Sequence, residues 1–167
     1  MKSTGEVMGG ADTFGSAYAK AQLAAGNRLP NTGTAFISVN NDDKANVLPV
    51  ARDLAELGFS LLGTSGTAAY LQAHGLDVEL VFKVNEGRPH IGDRLKNREI
   101  DLVINTPLGR ESFFDDRTLR HIATILGIPC VTTLTGAAAT VSAIRAMRDE
   151  ALDVRPLQDY HATLART

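Results

Sequence analysis

Phe59-Ser60-Leu61-Leu62-Gly63-Thr64-Ser65-Gly66-Thr67-Ala68-Ala69 is a short apolar run that ends in glycines and hydroxyls and passes straight into helix-forming residues. It reads as a strand, a tight turn and a helix start. Gly63 and Gly66 let backbone approach a ligand closely, and the hydroxyls of Thr64, Ser65 and Thr67 join the free N–H groups of the first helical turn at one spot. Such a helix tip suits an anion, most simply a phosphate. The same stretch also reads as an ordinary capped helix start that holds nothing. It is neither the dinucleotide-binding fingerprint nor a Walker loop.

The same alternation of strand and helix continues on both sides of this stretch. Upstream, Ala35-Phe36-Ile37-Ser38-Val39 reads as a strand, and Asn40-Asn41-Asp42-Asp43 turns it toward a helix that runs to Leu57 and ends at Gly58. Pro49 sits inside that helix, where it deletes a hydrogen bond at a cost of about 3 kcal/mol, so the helix either begins near Asn46 or kinks. Downstream, Val78 to Lys83 is a third strand, followed by a loop and a short helix toward Lys96. Leu102 to Asn105 is a fourth strand, Asp115-Asp116 open a helix closed by Gly127, Ile128 to Thr132 is a fifth strand, and a helix spans 135–147.

Strands separated by crossover helices give a parallel sheet covered on both faces by right-handed connections. The expected fold is therefore α/β: a doubly wound, Rossmann-like five-stranded parallel sheet. Residues 1–30 read as a separate N-terminal helix, capped by Asp12 and ended by Gly26, with a linker after it; residues 31–167 read as the domain proper.

Composition bounds the function. The 167 residues suit one domain with a real core, and the net charge of −2 leaves no basic footprint for a nucleic-acid polymer. No apolar run approaches the roughly 20 residues of a membrane span, and the first thirty residues lack the apolar stretch of a signal peptide. A single cysteine, Cys130, excludes an internal disulfide and fits a reducing cytoplasm. The histidines, His74, His90, His121 and His161, lie far apart without ligand spacing, so no metal site is expected.

In an open parallel sheet, ligands bind beyond the carboxyl ends of the strands, at the switch in strand order. Polar residues collect at those ends: Ser38 and Lys44 after the first strand, Thr64 and Thr67 after the second, Lys83 at the third, Asn105 and Thr106 at the fourth, Thr132 and Thr133 at the fifth. A single lysine at a strand end is usually just solvated. Two lysines and several hydroxyls at successive strand ends would balance a phosphomonoester dianion. Charge-assisted hydrogen bonds contribute roughly 1.5–3 kcal/mol each against about 0.3–1 for a helix dipole, so the lysines should dominate affinity.

Phe59 through Thr67, Lys83-Val84-Asn85-Glu86-Gly87-Arg88-Pro89-His90-Ile91-Gly92-Asp93 and Ile104-Asn105-Thr106 together resemble the methylglyoxal-synthase-like domain superfamily. The opening Met1-Lys2-Ser3-Thr4-Gly5-Glu6-Val7-Met8-Gly9 narrows the resemblance to the C-terminal allosteric domain of carbamoyl-phosphate synthase large subunits, at its junction with the second synthetase half. The resemblance covers nearly the whole chain and implies a fragment of a larger, glutamine-hydrolysing ligase. That enzyme makes carbamoyl phosphate from ATP, bicarbonate and glutamine-derived ammonia for pyrimidine and arginine biosynthesis, using Mg and K ions with ATP, and pairs with a glutaminase small subunit. This stretch would have no catalytic residue and no cofactor of its own. It would bind the effectors UMP and IMP.

Carried over by position, the resemblance implies an effector phosphate site of Lys44, Thr64, Thr67 and Lys83 with Ser38 nearby, and a ribose site at Asn105 with Thr106. Thr132 would be a remnant of an ornithine site, since Cys130-Val131 stand where a tyrosine and an aspartate usually precede the paired threonines. Family members also associate through this domain, so a homo-oligomer is a further expectation. The rival is a stand-alone methylglyoxal synthase acting on dihydroxyacetone phosphate, which needs a positioned carboxylate base. Synthases resembling this chain carry aspartates in the loop after the third strand and in an Asp-Pro-Leu motif. Here the loop reads Glu86-Gly87-Arg88-Pro89 and the motif Thr106-Pro107-Leu108. The cyclohydrolase domain of the bifunctional enzyme that makes IMP shares the fold, but the N-terminal junction residues argue against it. A role in assembly, with a vestigial anion pocket, is the remaining alternative.

Overall fold

The computed structural model describes residues 6–106 and 110–164, with side chains of 110–116 and 162–164 left aside. Five parallel strands, β1 (Thr34–Val39), β2 (Ser60–Gly63), β3 (Val78–Leu80), β4 (Leu102–Thr106) and β5 (Cys130–Val131), lie in the order β3-β2-β1-β4-β5. The order reverses between β1 and β4, so the switch point lies where these two strands meet.

Strand alternation divides the core in two, because successive side chains leave opposite faces. Ala35 and Ile37 of β1, Leu61, Leu102 and Ile104 pack on one face against α2 (Lys44–Glu56), α3 (Ser65–Ala73) and α6 (Leu134–Asp149) through Val47, Leu54, Leu71 and Ile144. Phe36, Leu62 and Val103 face the other way, onto α4 (Ile91–Lys96) and α5 (Arg110–Leu126) through Ile91, Leu95 and Leu119. The doubly wound α/β fold read from the pattern is therefore the observed one.

Several boundaries differ from those read in the sequence. Helix α2 runs through Pro49 from Lys44 without a later start. Pro49 is exposed, and the carbonyl it leaves over belongs to Ala45, itself exposed, where water can replace the missing donor. Helix α5 begins at Arg110, ahead of Asp115-Asp116. Strands β3 and β5 are shorter than their apolar runs because both are edge strands, paired on one side only. The N-cap of α1 (Phe14–Ala24) is Thr13, whose hydroxyl accepts from the Ser16 N–H, and not Asp12.

Helix α1 packs on α6 by the face that carries Gly15 and Ala19, while its Phe14 is exposed. At the crossing, a Cβ on the buried Gly15 would lie 2.6 Å from the Ser142 carbonyl oxygen, so only glycine allows this approach. Ala19 and Leu29 join the main core cluster. A further helix, α7 (Leu157–Leu164), lies beyond the elements read in the sequence. Its Tyr160 hydroxyl donates to the Gly10 carbonyl, while Lys20 bonds Asp153 at 2.7 Å and Arg155 bonds Asp12 at 2.8 Å. These contacts tie the chain after α6 to α1 and to the segment before it. Among the described residues no helix is long and apolar enough to cross a membrane.

Candidate functional site

Beyond the carboxyl ends of β1, β2 and β4 lies a cleft of about 570 Å³. Its polar wall carries Ser38, Lys44, Thr64, Lys83, Asn105 and Thr106, and its apolar wall Phe36, Val84, Ile91 and Leu119. Strand register explains the convergence. Ser38 stands opposite Asn105 across the β1–β4 pairing, and Ile37 opposite Gly63 across β1–β2, so one residue further along the hydroxyls of Ser38 and Thr64 meet at 3.3 Å.

The helix tip is built as the β2–α3 stretch demands. Thr64 occupies the N-cap position of α3, yet its side chain does not cap the helix. Its hydroxyl turns toward Ser38 and toward the Thr67 hydroxyl at 3.4 Å. The N–H groups of Thr67 and Ala68 both bond the Thr64 carbonyl, whereas those of Ser65 and Gly66 have no partner among the described residues and belong to residues on the cleft wall. A Cβ on Gly66 would lie 3.3 Å from the Lys44 Nζ, so the bare glycine leaves room for the ammonium over the helix tip.

Neither Lys44 nor Lys83 makes an ion pair with a described residue. Two ammonium groups, two unspent backbone N–H groups and a pair of hydroxyls suit a compact dianion.

Thr67 is not on the wall. It is 1% exposed, and its hydroxyl lies one hydrogen bond behind Thr64, accepting from the Val39 N–H at 3.2 Å. It thus braces the end of β1. Thr132 lies elsewhere, in a second cleft of about 450 Å³ with Tyr18, Gln22, Cys130 and Thr133. Pro107 and Leu108 of the Thr106-Pro107-Leu108 motif, and Met1 to Gly5 of the opening motif, fall outside the described residues.

The loop that carries Lys83 is held at both ends. Glu86 accepts from the Lys83 backbone N–H at 3.0 Å. His90 and Asp93 form a reciprocal capping box on α4, each side chain accepting from the other's backbone N–H at 3.2 Å. The bond from the His90 N–H holds the Asp93 carboxyl below its usual value of 3.8, helped by the nearby Arg88 charge and opposed by partial burial. A carboxyl lowered in the folded state stabilises the fold above its unfolded value and stops doing so as pH falls through the folded one. Asp93→Asn should therefore melt below the native protein near neutral pH, and the gap should close on acidification below pH 3.8. Melting curves across that range test it, and a gap independent of pH would contradict the assignment.

Sequence reading missed the Asn40-Asn41-Asp42-Asp43 segment as part of the site. It was legible only as a turn, although an Asx residue three before an aspartate is a recognisable turn-and-cap signature. Asn40, Asn41 and Asp42 line the cleft, and the Asn40 amide oxygen accepts from the N–H groups of Asp42 and Asp43 at 2.9 and 3.1 Å.

The five-stranded, doubly wound parallel sheet is similar in fold to methylglyoxal synthase. The crystal structure of that enzyme from Elizabethkingia anophelis NUHP1 matches with a TM-score of 0.54 and 18% identity, over 69% of this chain and 80% of that one, a likeness of fold. Residues 46–132 match the family model of the MGS-like domain, and the chain belongs to that family.

Carbamoyl phosphate synthase large chains are similar over nearly the whole sequence. That of Nostoc sp. is 51% identical over 96% of this chain and 14% of its own length, and that of Acidobacterium capsulatum 49% identical over 97% and 15%. The C-terminal section of the large chain from Methanopyrus kandleri is 49% identical over 96% of this chain and 30% of its own. The chain thus spans a small part of these relatives.

Proposed function

We propose that the cleft is a regulatory site that holds the phosphate of a nucleoside monophosphate, UMP or IMP, without transforming it, within a carbamoyl-phosphate synthase large chain. The observation that carries this reading is the pair Lys44 and Lys83, unpaired among the described residues, on one cleft with the free Ser65 and Gly66 N–H groups. Asn105 and Thr106, on the same wall, would face the ribose, and the apolar wall would take the base. Thr64 and Ser38 would bond the phosphate oxygens, with Thr67 supporting Thr64 from behind.

The rest of the proposal concerns the larger protein of which this chain would be a part. Synthetase domains of the same large chain, using ATP with Mg and K ions, and a glutaminase small subunit would carry out the ligation in the cytoplasm, feeding pyrimidine and arginine biosynthesis. This domain would report effector levels to them. Coupling requires ligand contacts that differ between two global states, so this chain alone would bind effectors while regulation is read in the larger assembly. Thr132 would be a remnant of an ornithine site, and copies of the domain would associate with one another.

The lyase alternative needs a carboxylate base facing the reacting carbon. Both loop acids that could serve are engaged in backbone caps, Glu86 on Lys83 and Asp93 on His90, which favours binding over chemistry. Asp42 stands exposed on the cleft wall, and its test is direct. The chain should bind UMP in a calorimetric titration and produce no methylglyoxal from dihydroxyacetone phosphate. Turnover that disappears in Asp42→Asn would replace the regulatory reading with the lyase one.

A further inference from the structure

Asp43 stands at the N-cap of α2, one residue before Lys44, yet its carboxylate makes no cap to that helix. Oδ2 instead accepts from the Thr106 hydroxyl at 2.7 Å and from the Asn40 side-chain amide at 2.7 Å. Asn40 completes the link, its backbone N–H and its side-chain amide both donating to the Thr106 carbonyl at 3.2 Å. The last residue of β4 and the turn after β1 are thereby joined across the switch point, by side chains 63 positions apart.

A carboxylate is a costly choice beside a phosphate cleft, because its charge repels the ligand the lysines attract. An N-cap aspartate that also forgoes its usual cap gives up helix stability as well. The geometry accounts for both. We propose that Asp43 is a positioning residue for the effector phosphate: its bond to Thr106 sets the start of α2, and with it the place of Lys44 over Gly66. This inference rests on the phosphate-binding reading and adds to it a residue that touches no ligand.

Charge and position predict opposite signs. If Asp43 matters only through its charge, removing it should tighten binding. If it positions Lys44, Asp43→Ala should weaken UMP binding about tenfold, the scale of one charge-assisted hydrogen bond. Thr106→Val breaks the same link and also removes the hydroxyl assigned to the ribose, so the two together should cost less than the sum of the two alone. Asp43→Asn keeps an oxygen for Thr106 and should bind within about threefold of the native protein or tighter.

The deciding measurement is calorimetric UMP titration of these variants with Lys44 present and with Lys44→Ala. A residue that acts through Lys44 should have no further effect once the lysine is gone, whereas general loosening of the fold would weaken binding equally in both. Tighter or unchanged binding by Asp43→Ala, an equal loss without Lys44, or an Asp43→Asn loss as large as that of Ala overturns the proposal. Should Asp43→Ala not fold, Asp43→Ser, which restores a helix cap but is too short to hold Thr106, carries the same decision with and without Lys44. If Lys44→Ala weakens binding and Asp43→Ala does not, only this inference fails. If the native protein does not bind UMP, or Lys44→Ala leaves affinity unchanged, the phosphate site itself fails and this inference with it.

Discussion

Lys83→Ala should weaken UMP binding by roughly ten- to a hundredfold, the loss that one charge-assisted hydrogen bond of about 1.5–3 kcal/mol implies. Lys83 lines the cleft without a carboxylate partner among the described residues, so its ammonium is available to a ligand at no cost of breaking an internal pair. Thr67→Ala should cost less, because the Thr67 hydroxyl is buried behind Thr64 and acts on the ligand only through it. Both affinities are read by calorimetry. The Lys83 effect should shrink as salt is raised, since charges at an open cleft are screened. Equal affinities for the native protein and both variants would remove the phosphate site from this cleft.

Ile104→Ala should lower the stability of the domain by about 2–5 kcal/mol, a large share of the 5–15 kcal/mol that such domains possess. Ile104 is fully buried in β4, between Ile37 of β1 and Val131 of β5, and packs in the larger core cluster. Truncation leaves a cavity that the sheet cannot close, because β4 is paired on both sides. The measurement is a urea denaturation curve whose midpoint falls while its slope is unchanged. Ile125→Ala is the control: that side chain is 69% exposed, and its loss should change stability by no more than about 0.5 kcal/mol. A comparable loss at both positions would mean that burial in the sheet is not what Ile104 contributes.

Much of the fold was readable from Phe59 to Ala69 and its neighbours because the signals involved are local. Two-residue alternation in β1 separates Ala35 and Ile37 from Phe36, and the two faces they define are the faces the helices cover. Glycines after Leu57, His74 and Leu126 mark helix ends, as the positive φ of Gly58, Gly75 and Gly127 requires. Errors fell where local pattern and pairing compete. The apolar runs of β3 and β5 are longer than the strands they form, since an edge strand extends only as far as its one neighbour. Local chemistry at Pro49 asks for a helix start near Asn46 or a kink, but its exposed position lets the helix begin at Lys44.

The site was legible as a set of residue types at strand ends, and less so as a set of contacts. Lys44, Lys83, Thr64, Ser38, Asn105 and Thr106 line one cleft, while Thr67 lies behind it and Thr132 in another. No pattern in the chain distinguishes Thr64 from Thr67, for both follow the same strand and both are hydroxyls. The difference is set by the Val39 N–H, which takes the Thr67 oxygen.

By itself, then, the amino-acid sequence determined the alternation of strands and helices, the parallel sheet that such crossovers require, and the placing of cations and hydroxyls just after the strands. Each of these follows from side-chain period, turn chemistry and the short reach of a helix cap. Tertiary structure alone decided the order β3-β2-β1-β4-β5, the meeting of Ser38 with Thr64, the packing of α1 on α6 through Gly15, and the link from Asp43 to Thr106. Those contacts join segments far apart along the chain, and which segments meet is settled by how the whole apolar surface is buried, a sum to which no single stretch holds the key.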